Sequence, residues 1–165
     1  MITISEATAR DFKTIQEIVH ITWPHTYGGI ISDAQIAYML DLMYSEGALS
    51  ENLNQKKHRF LLATENSDCL GFASFEHNYN NEKGTHLHKL YVLPEAQGLG
   101  VGKLLMDAVE NSAKENHSIF ISLFVNKFNK AIAFYQKNDF KIVSEVCLEI
   151  GQGYVMDDYK MEKQL

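Results

Sequence analysis

The stretch Leu90-Tyr91-Val92-Leu93-Pro94-Glu95-Ala96-Gln97-Gly98-Leu99-Gly100-Val101-Gly102-Lys103 decides the reading of this 165-residue chain. Its first residues end a strand-like run, Thr85–Leu93. Behind it, Leu104, Leu105, Ala108 and Val109 fall on one helical face. A glycine-rich turn thus joins a strand directly to an amphipathic helix. Glycines let the backbone bend tightly and approach a ligand without a Cβ in the way. The first amides of a helix lack partners within it and, with the helix dipole, suit a phosphate anion. Lys103 adds a positive charge there. The bland reading of the same glycines is a tight connection that binds nothing.

Two phosphate-binding patterns fail here. A P-loop needs a glycine five residues before a Gly-Lys-Ser/Thr unit. That position is Gln97, and Leu104 follows Lys103. A dinucleotide fingerprint starting at Gly98 meets its third glycine one residue early, at Gly102, and sits mid-chain rather than after a first strand.

Outward from the turn, the pattern is mixed α/β. Ile2 to Ala7 alternates as a strand does, and Phe12, Ile15, Ile18, Val19 and Trp23 recur at helical spacing until Pro24, which is expected to end that helix. Gly28-Gly29 marks a turn. Ser32 and Gln35 form a candidate capping box before Ile36, Met39, Leu40 and Met43. Two early helices are therefore expected, joined by the aromatic loop Trp23-Pro24-His25-Thr26-Tyr27. Strands are predicted at Phe60–Glu65, Leu70–His77 and Thr85–Leu93, a buried central strand at Ile119–Val125, a short helix over Asn129–Asn138, and strands at Phe140–Ile150 and Tyr154–Glu162. Two prolines, no linker and no repeat imply a single domain over residues 1–165.

Composition narrows the function. The chain is 45% hydrophobic and carries a net charge of -6. No apolar run is long enough to span a membrane, and the N-terminus lacks an export pattern, so a cytoplasmic protein is expected. Nucleic acid is excluded as a partner because the longest basic cluster is Lys56-Lys57-His58-Arg59. A cationic small molecule fits the charge. Cys69 and Cys147 are expected to be reduced, buried, small apolar side chains.

Gln97-x-x-Gly100-x-Gly102, after a strand ending Leu-Tyr-Val-Leu-Pro-Glu, resembles the pyrophosphate-binding motif of the GNAT acetyltransferases. Downstream, Asn126-Lys127-Phe128-Asn129-Lys130-Ala131-Ile132-Ala133-Phe134-Tyr135-Gln136-Lys137-Asn138-Asp139-Phe140 resembles the family's Asn-x-x-Ala-x-x-x-Tyr-x-x-x-Gly-Phe segment. The order of elements agrees over essentially the whole chain. One departure is Asp139, where the family usually has glycine.

The resemblance implies a mixed, mostly antiparallel sheet of six to seven strands, flanked by about four helices, whose fourth and fifth strands splay apart. It implies acetyl-CoA as the acetyl donor. Backbone groups at Leu90, Tyr91 and Val92 would pair with the pantetheine arm. Gln97, Gly98, Leu99, Gly100, Val101, Gly102 and Lys103 would hold the pyrophosphate, and Asn126 and Asn129 would touch the arm. Asn129 also reads as a plain helix cap.

The implied chemistry is direct transfer to a primary amine, which must shed a proton before it attacks. Tyr135 matches the family's tyrosine that protonates the leaving thiolate; its bland alternative is a core aromatic beside Phe134. His86, His88, Leu90 and Val92 are expected to alternate along one face of the fourth strand. His86, His88 and Glu76 are the candidate proton acceptors, each weighed against an ordinary strand side chain. His86-x-His88 has no third ligand at a telling spacing, so no metal is expected. The acceptor pocket would draw on Trp23, Tyr27, Tyr38, Tyr154, Asp157 and Asp158, an aromatic and acidic set suited to an ammonium group. Those segments look like bacterial members acting on polyamines such as spermidine. A protein or peptide acetyltransferase, and a non-catalytic sensor of coenzyme A, stay open as alternatives. A homodimer is compatible with all three.

Overall fold

The computed structural model describes all of residues 1–165. The first strand is β1 (Thr3–Glu6), followed by the helices α1 (Phe12–Tyr27), α2 (Asp33–Tyr44) and α3 (Glu46–Asn54). Then come β2 (Arg59–Glu65), β3 (Asp68–His77), β4 (Gly84–Val92), α4 (Val101–Glu115) and β5 (Phe120–Asn126). The chain ends with α5 (Ala131–Lys137), β6 (Lys141–Gly151) and β7 (Tyr154–Gln164). The seven strands form one sheet in the order β1-β2-β3-β4-β5-β7-β6. Every neighbouring pair is antiparallel except β4–β5. A parallel pair needs a long crossover, and α4 supplies it.

Each face of the sheet buries its own core. Leu105, Met106 and Val109 of α4 pack on Ala73, Phe75, Leu87, Ile121 and Leu123. Opposite them, Ile15, Val19 and Trp23 of α1, with Met39 and Leu40 of α2, cover Phe60, Leu62 and Phe72. Each Val, Leu, Ile, Phe or Met among them contributes about 1.5–3 kcal/mol by leaving water.

Several expectations need correction. Pro24 does not end the first helix: α1 runs on to Tyr27, and the Gly28 amide donates to the Pro24 carbonyl at 2.9 Å. Burial of Trp23 and its contact with Tyr27, ring centroids 4.6 Å apart, hold the last turn against proline's preference. The expected aromatic loop is therefore helix. A fifth helix, α3, was not predicted, because Gly47 and only two leucines give it no clear period. Ser45 caps it, accepting from the Ala48 amide at 3.2 Å, and buried Leu49 anchors it. Cys147 is exposed rather than buried, since β6 is an edge strand; Cys69 is half-buried, and both are free.

Candidate active site

The strands β4 and β5 pair only where Gly84–Leu87 faces Phe120–Leu123. Beyond that, β4 stays with β3 as far as Val92, while β5 stays with β7 as far as Asn126. The two strands therefore part, and the β5-facing edge of His88–Val92 has no strand partner.

A β-bulge sits at the fork. Ser74 faces Lys89 while Phe75 faces Leu87, so His88 is the extra residue. This overturns the expected single face. Leu87, Leu90 and Val92 all pack with the α4-side core. Tyr91 packs with the α1-side core, where the Lys89 ammonium lies 5.0 Å from the Tyr44 ring. One inserted residue inverts the alternation, which strand periodicity alone does not register.

The fork opens into a cavity of about 850 Å³. One wall is the turn Gln97–Lys103. Gly98 and Gly100 adopt φ of 85° and 82°, the left-handed region that strains other residues. Gly100 is the N-cap of α4, and no side chain caps it, so the helix's first amides face the cavity end uncapped. Lys103 lines the cavity and forms an ion pair with Asp107.

Tyr135 projects from α5 into the same cavity and is 7% exposed. Burial pushes its pKa above the tyrosine range, so it holds its proton at neutral pH. Tyr27 and Tyr91 share a hydrogen bond of 2.9 Å on the cavity wall. Burial first, and then Asp158, raise Tyr27 to about 12. Asn129 lines the cavity and caps its own loop, accepting from the Ala131 amide at 2.8 Å. Asn126 accepts from the Phe128 amide at 2.9 Å and lies off the wall.

Of the candidate proton acceptors, His88 lines the cavity and His86 and Glu76 do not. His86 is buried, its Nδ1 2.7 Å from Ser122 Oγ and its ring stacked on Tyr79 at 4.3 Å. Burial, with Lys160 and His58 adding, pushes it down to about 3. His88 Nε2 lies 3.3 Å from Glu76 Oε2, and its ring stacks on His58 at 3.9 Å. Burial holds His88 far below the ordinary histidine range, aided by His58, His86, Lys89 and Lys56. Burial also raises Glu76, against the pull of Lys56. An ion pair would shift the two partners the other way, so the contact is a hydrogen bond rather than a charge pair.

The acceptor residues named from sequence are dispersed. Trp23 is 1% exposed and packs inside the core, because its helical turn faces Tyr44 and Tyr91. Tyr38 donates to the Ile150 carbonyl at 2.6 Å, and its ring lies 5.3 Å from Tyr154; neither reaches the cavity wall. Asp157 pairs with Lys127 at 3.0 Å. Asp158 is 5% exposed on β7, and burial, with Asp157 adding and Lys127 opposing, raises it to about 6. Leu99 is exposed and off the wall. Among the wall residues not foreseen are Gly28–Ile30 beyond α1, Lys89 at the bulge, and Phe128, 75% exposed. A large aromatic between two asparagines in a loop was the one visible signal for the last.

Residues 30–163 match the acetyltransferase (GNAT) domain family. The spermidine N(1)-acetyltransferase of Thermoplasma acidophilum is 28% identical over 146 residues, 86% of this chain and 89% of that protein. The uncharacterized N-acetyltransferase YuaI of Bacillus subtilis is 27% identical over 93% of each chain. Among solved structures, the PaiA N-acetyltransferase of Thermoplasma acidophilum, in complex with coenzyme A, superposes with a TM-score of 0.84 at 28% identity, covering 100% of this chain and 99% of that one. The uncapped turn, the forked strands and these matches lead to one statement: the chain belongs to the GNAT acetyltransferase family and is an N-acyltransferase.

Proposed function

We propose that the protein transfers the acetyl group of acetyl-CoA to a primary amine of a small cationic molecule, with polyamines the best-suited class. One observation carries the reading: the fork between β4 and β5 and the uncapped start of α4 open into one cavity that also holds Tyr135.

The residues present fit acetyl-CoA. The amides of the Gly98–Lys103 turn suit its pyrophosphate, and the unpaired edge at Leu90 and Val92 suits the amides of its pantetheine arm. Bound there, acetyl-CoA supplies a thioester carbonyl for attack by the amine. Phe128 offers an exposed aromatic face on the wall of the same cavity.

An alkylamine, with a pKa of about 10.4, arrives protonated. That proton passes to solvent; His88, the one candidate acceptor on the cavity wall, is held neutral by burial and accepts a hydrogen bond from the neutral amine, with Glu76 3.3 Å from its ring. Tyr135 keeps its proton at neutral pH and is placed to give it to the departing thiolate sulfur. Asp158 does not line the cavity but lies near Tyr27 on its wall, where its buried carboxylate suits the second ammonium of a diamine or polyamine, whose charge offsets the cost of burying an anion. The spermidine acetyltransferase among the relatives supports this class of acceptor.

The test is thiol release from acetyl-CoA with spermidine, a monoamine and a lysine peptide as acceptors. Turnover with spermidine well above that with the other two supports the reading. Equal or greater turnover with the peptide moves it to a protein acetyltransferase, and binding of acetyl-CoA without turnover on any amine would leave a sensor.

A further inference from the structure

We propose that His58, Glu76 and His88 form a site for a divalent transition-metal cation, with zinc the ion this donor set suits. Spacing along the chain offered only His86 and His88. Folding brings donors from three places instead: His58 just before β2, Glu76 on β3 and His88 at the β4 bulge. One ligand-capable atom from each lies within 4.8 Å of the other two. Two imidazoles and a carboxylate are a common zinc set that leaves a fourth position free.

A tetrahedral zinc with bonds of about 2.0–2.1 Å holds its donors roughly 3.3 Å apart. His88 Nε2 and Glu76 Oε2 are at 3.3 Å already. His58 closes the set by moving in at most about 1.5 Å, the difference between 4.8 and 3.3 Å. The His58 and His88 rings, 3.9 Å apart and 15° from parallel, turn out of their stack so that their in-plane lone pairs converge.

A second observation points to a ligand. His58 is 7% exposed, yet its Nδ1 has no hydrogen-bond partner. A buried polar atom left unpaired calls for an explanation, and a metal ion supplies one. Lys89 and Lys56 both lie near His58. The same two lysines oppose a cation. Lys56 is drawn toward Glu51 at 3.8 Å, and the Lys89 ammonium lies over the Tyr44 and Phe60 rings. The site is therefore reversible rather than a structural clamp.

His88 also lines the cavity, so the open fourth position faces it. Zinc at this wall position occupies space beside His88 that the acceptor amine would use, so zinc inhibits acetyl transfer. That consequence rests on the proposed function; the metal site does not.

The test titrates the purified protein, without acetyl-CoA or amine, with Co²⁺ followed by visible absorption, then with Zn²⁺ as competitor. One Co²⁺ per chain is expected, with the bands of a four-coordinate ion that Zn²⁺ displaces. His58→Phe keeps the stacked ring but removes both nitrogens, and Glu76→Gln removes the anion; both are checked for folding by circular dichroism. Both are expected to lose the Co²⁺ bands, and His58→Phe to keep acetyl transfer free of zinc inhibition. Absence of Co²⁺ bands in the wild type, or their survival in both folded variants, overturns the site. Stoichiometric Co²⁺ binding in a protein that acetylates no amine upholds it while removing the proposed function.

Discussion

Phe140 closes the helix that carries Tyr135: its amide donates to the Tyr135 carbonyl at 3.1 Å, and the two rings lie 5.7 Å apart. Asp139 donates to the Gln136 carbonyl at 3.2 Å. These are the paired bonds of a Schellman cap, completed by its apolar contact. The cap fixes the end of α5 and with it the direction of the Tyr135 side chain.

The cap demands a left-handed residue at Asp139, whose φ is 68°. Glycine adopts that conformation without a Cβ penalty. Asp139→Gly is therefore expected to stabilise the protein by about 0.5–1 kcal/mol, net of glycine's larger chain entropy. Thermal unfolding should rise by about 2 °C with turnover unchanged. A lower melting temperature would mean the aspartate side chain contributes more than its backbone strain costs.

Tyr135→Phe removes one hydroxyl from a buried ring. Loss of a general acid is expected to lower kcat by about 10²-fold or more, with little change in the KM for acetyl-CoA. Stopped assays of thiol release, alongside coenzyme A affinity by calorimetry, separate the two. An unchanged kcat returns Tyr135 to a packing role beside Phe140.

The strand–turn–helix around Gly98 was legible because its glycines and the apolar stripe behind them are local features. Mixed α/β order was legible for the same reason. The inverted face of β4 was not, because a bulge at His88 is set by how β3 and β4 pair rather than by residue type. His58 was hidden likewise: it reads as part of a basic run, Lys56–Arg59, and only folding stacks it on His88. Pro24 misled in the opposite sense, since burial of Trp23 outweighs a local breaker.

Gly71→Ala tests whether the β3–β4 spacing sets the cavity edge. A Cβ there would lie 2.6 Å from the Tyr91 carbonyl oxygen and 3.1 Å from Val92 Cα, both backbone atoms that cannot rotate away. The strands must separate, at about 1–3 kcal/mol. Denaturant midpoints should fall, and the KM for acetyl-CoA should rise if Leu90–Val92 is the edge that binds it, as proposed. A stability loss with unchanged KM would detach that edge from cofactor binding.

Asp158 ties stability to acceptor binding with opposite signs. Its folded pKa of about 6 lies above the ordinary aspartate value of 3.8, so the folded state holds the extra proton between them. The group therefore contributes stability at low pH that is lost as pH rises through 6, and above that the buried anion is a cost of about 1–3 kcal/mol. Asp158→Asn keeps the shape and removes the charge, so it should be more stable than the wild type at pH 7 and lose that advantage by pH 4. If the anion faces the acceptor's ammonium, the same substitution should raise the KM for spermidine at pH 7. The wild-type KM should climb as pH falls below 6, while the variant's stays flat through that range. Melting curves and spermidine kinetics between pH 5 and 8 measure both, and a variant that gains stability without losing spermidine affinity would take Asp158 out of the acceptor site.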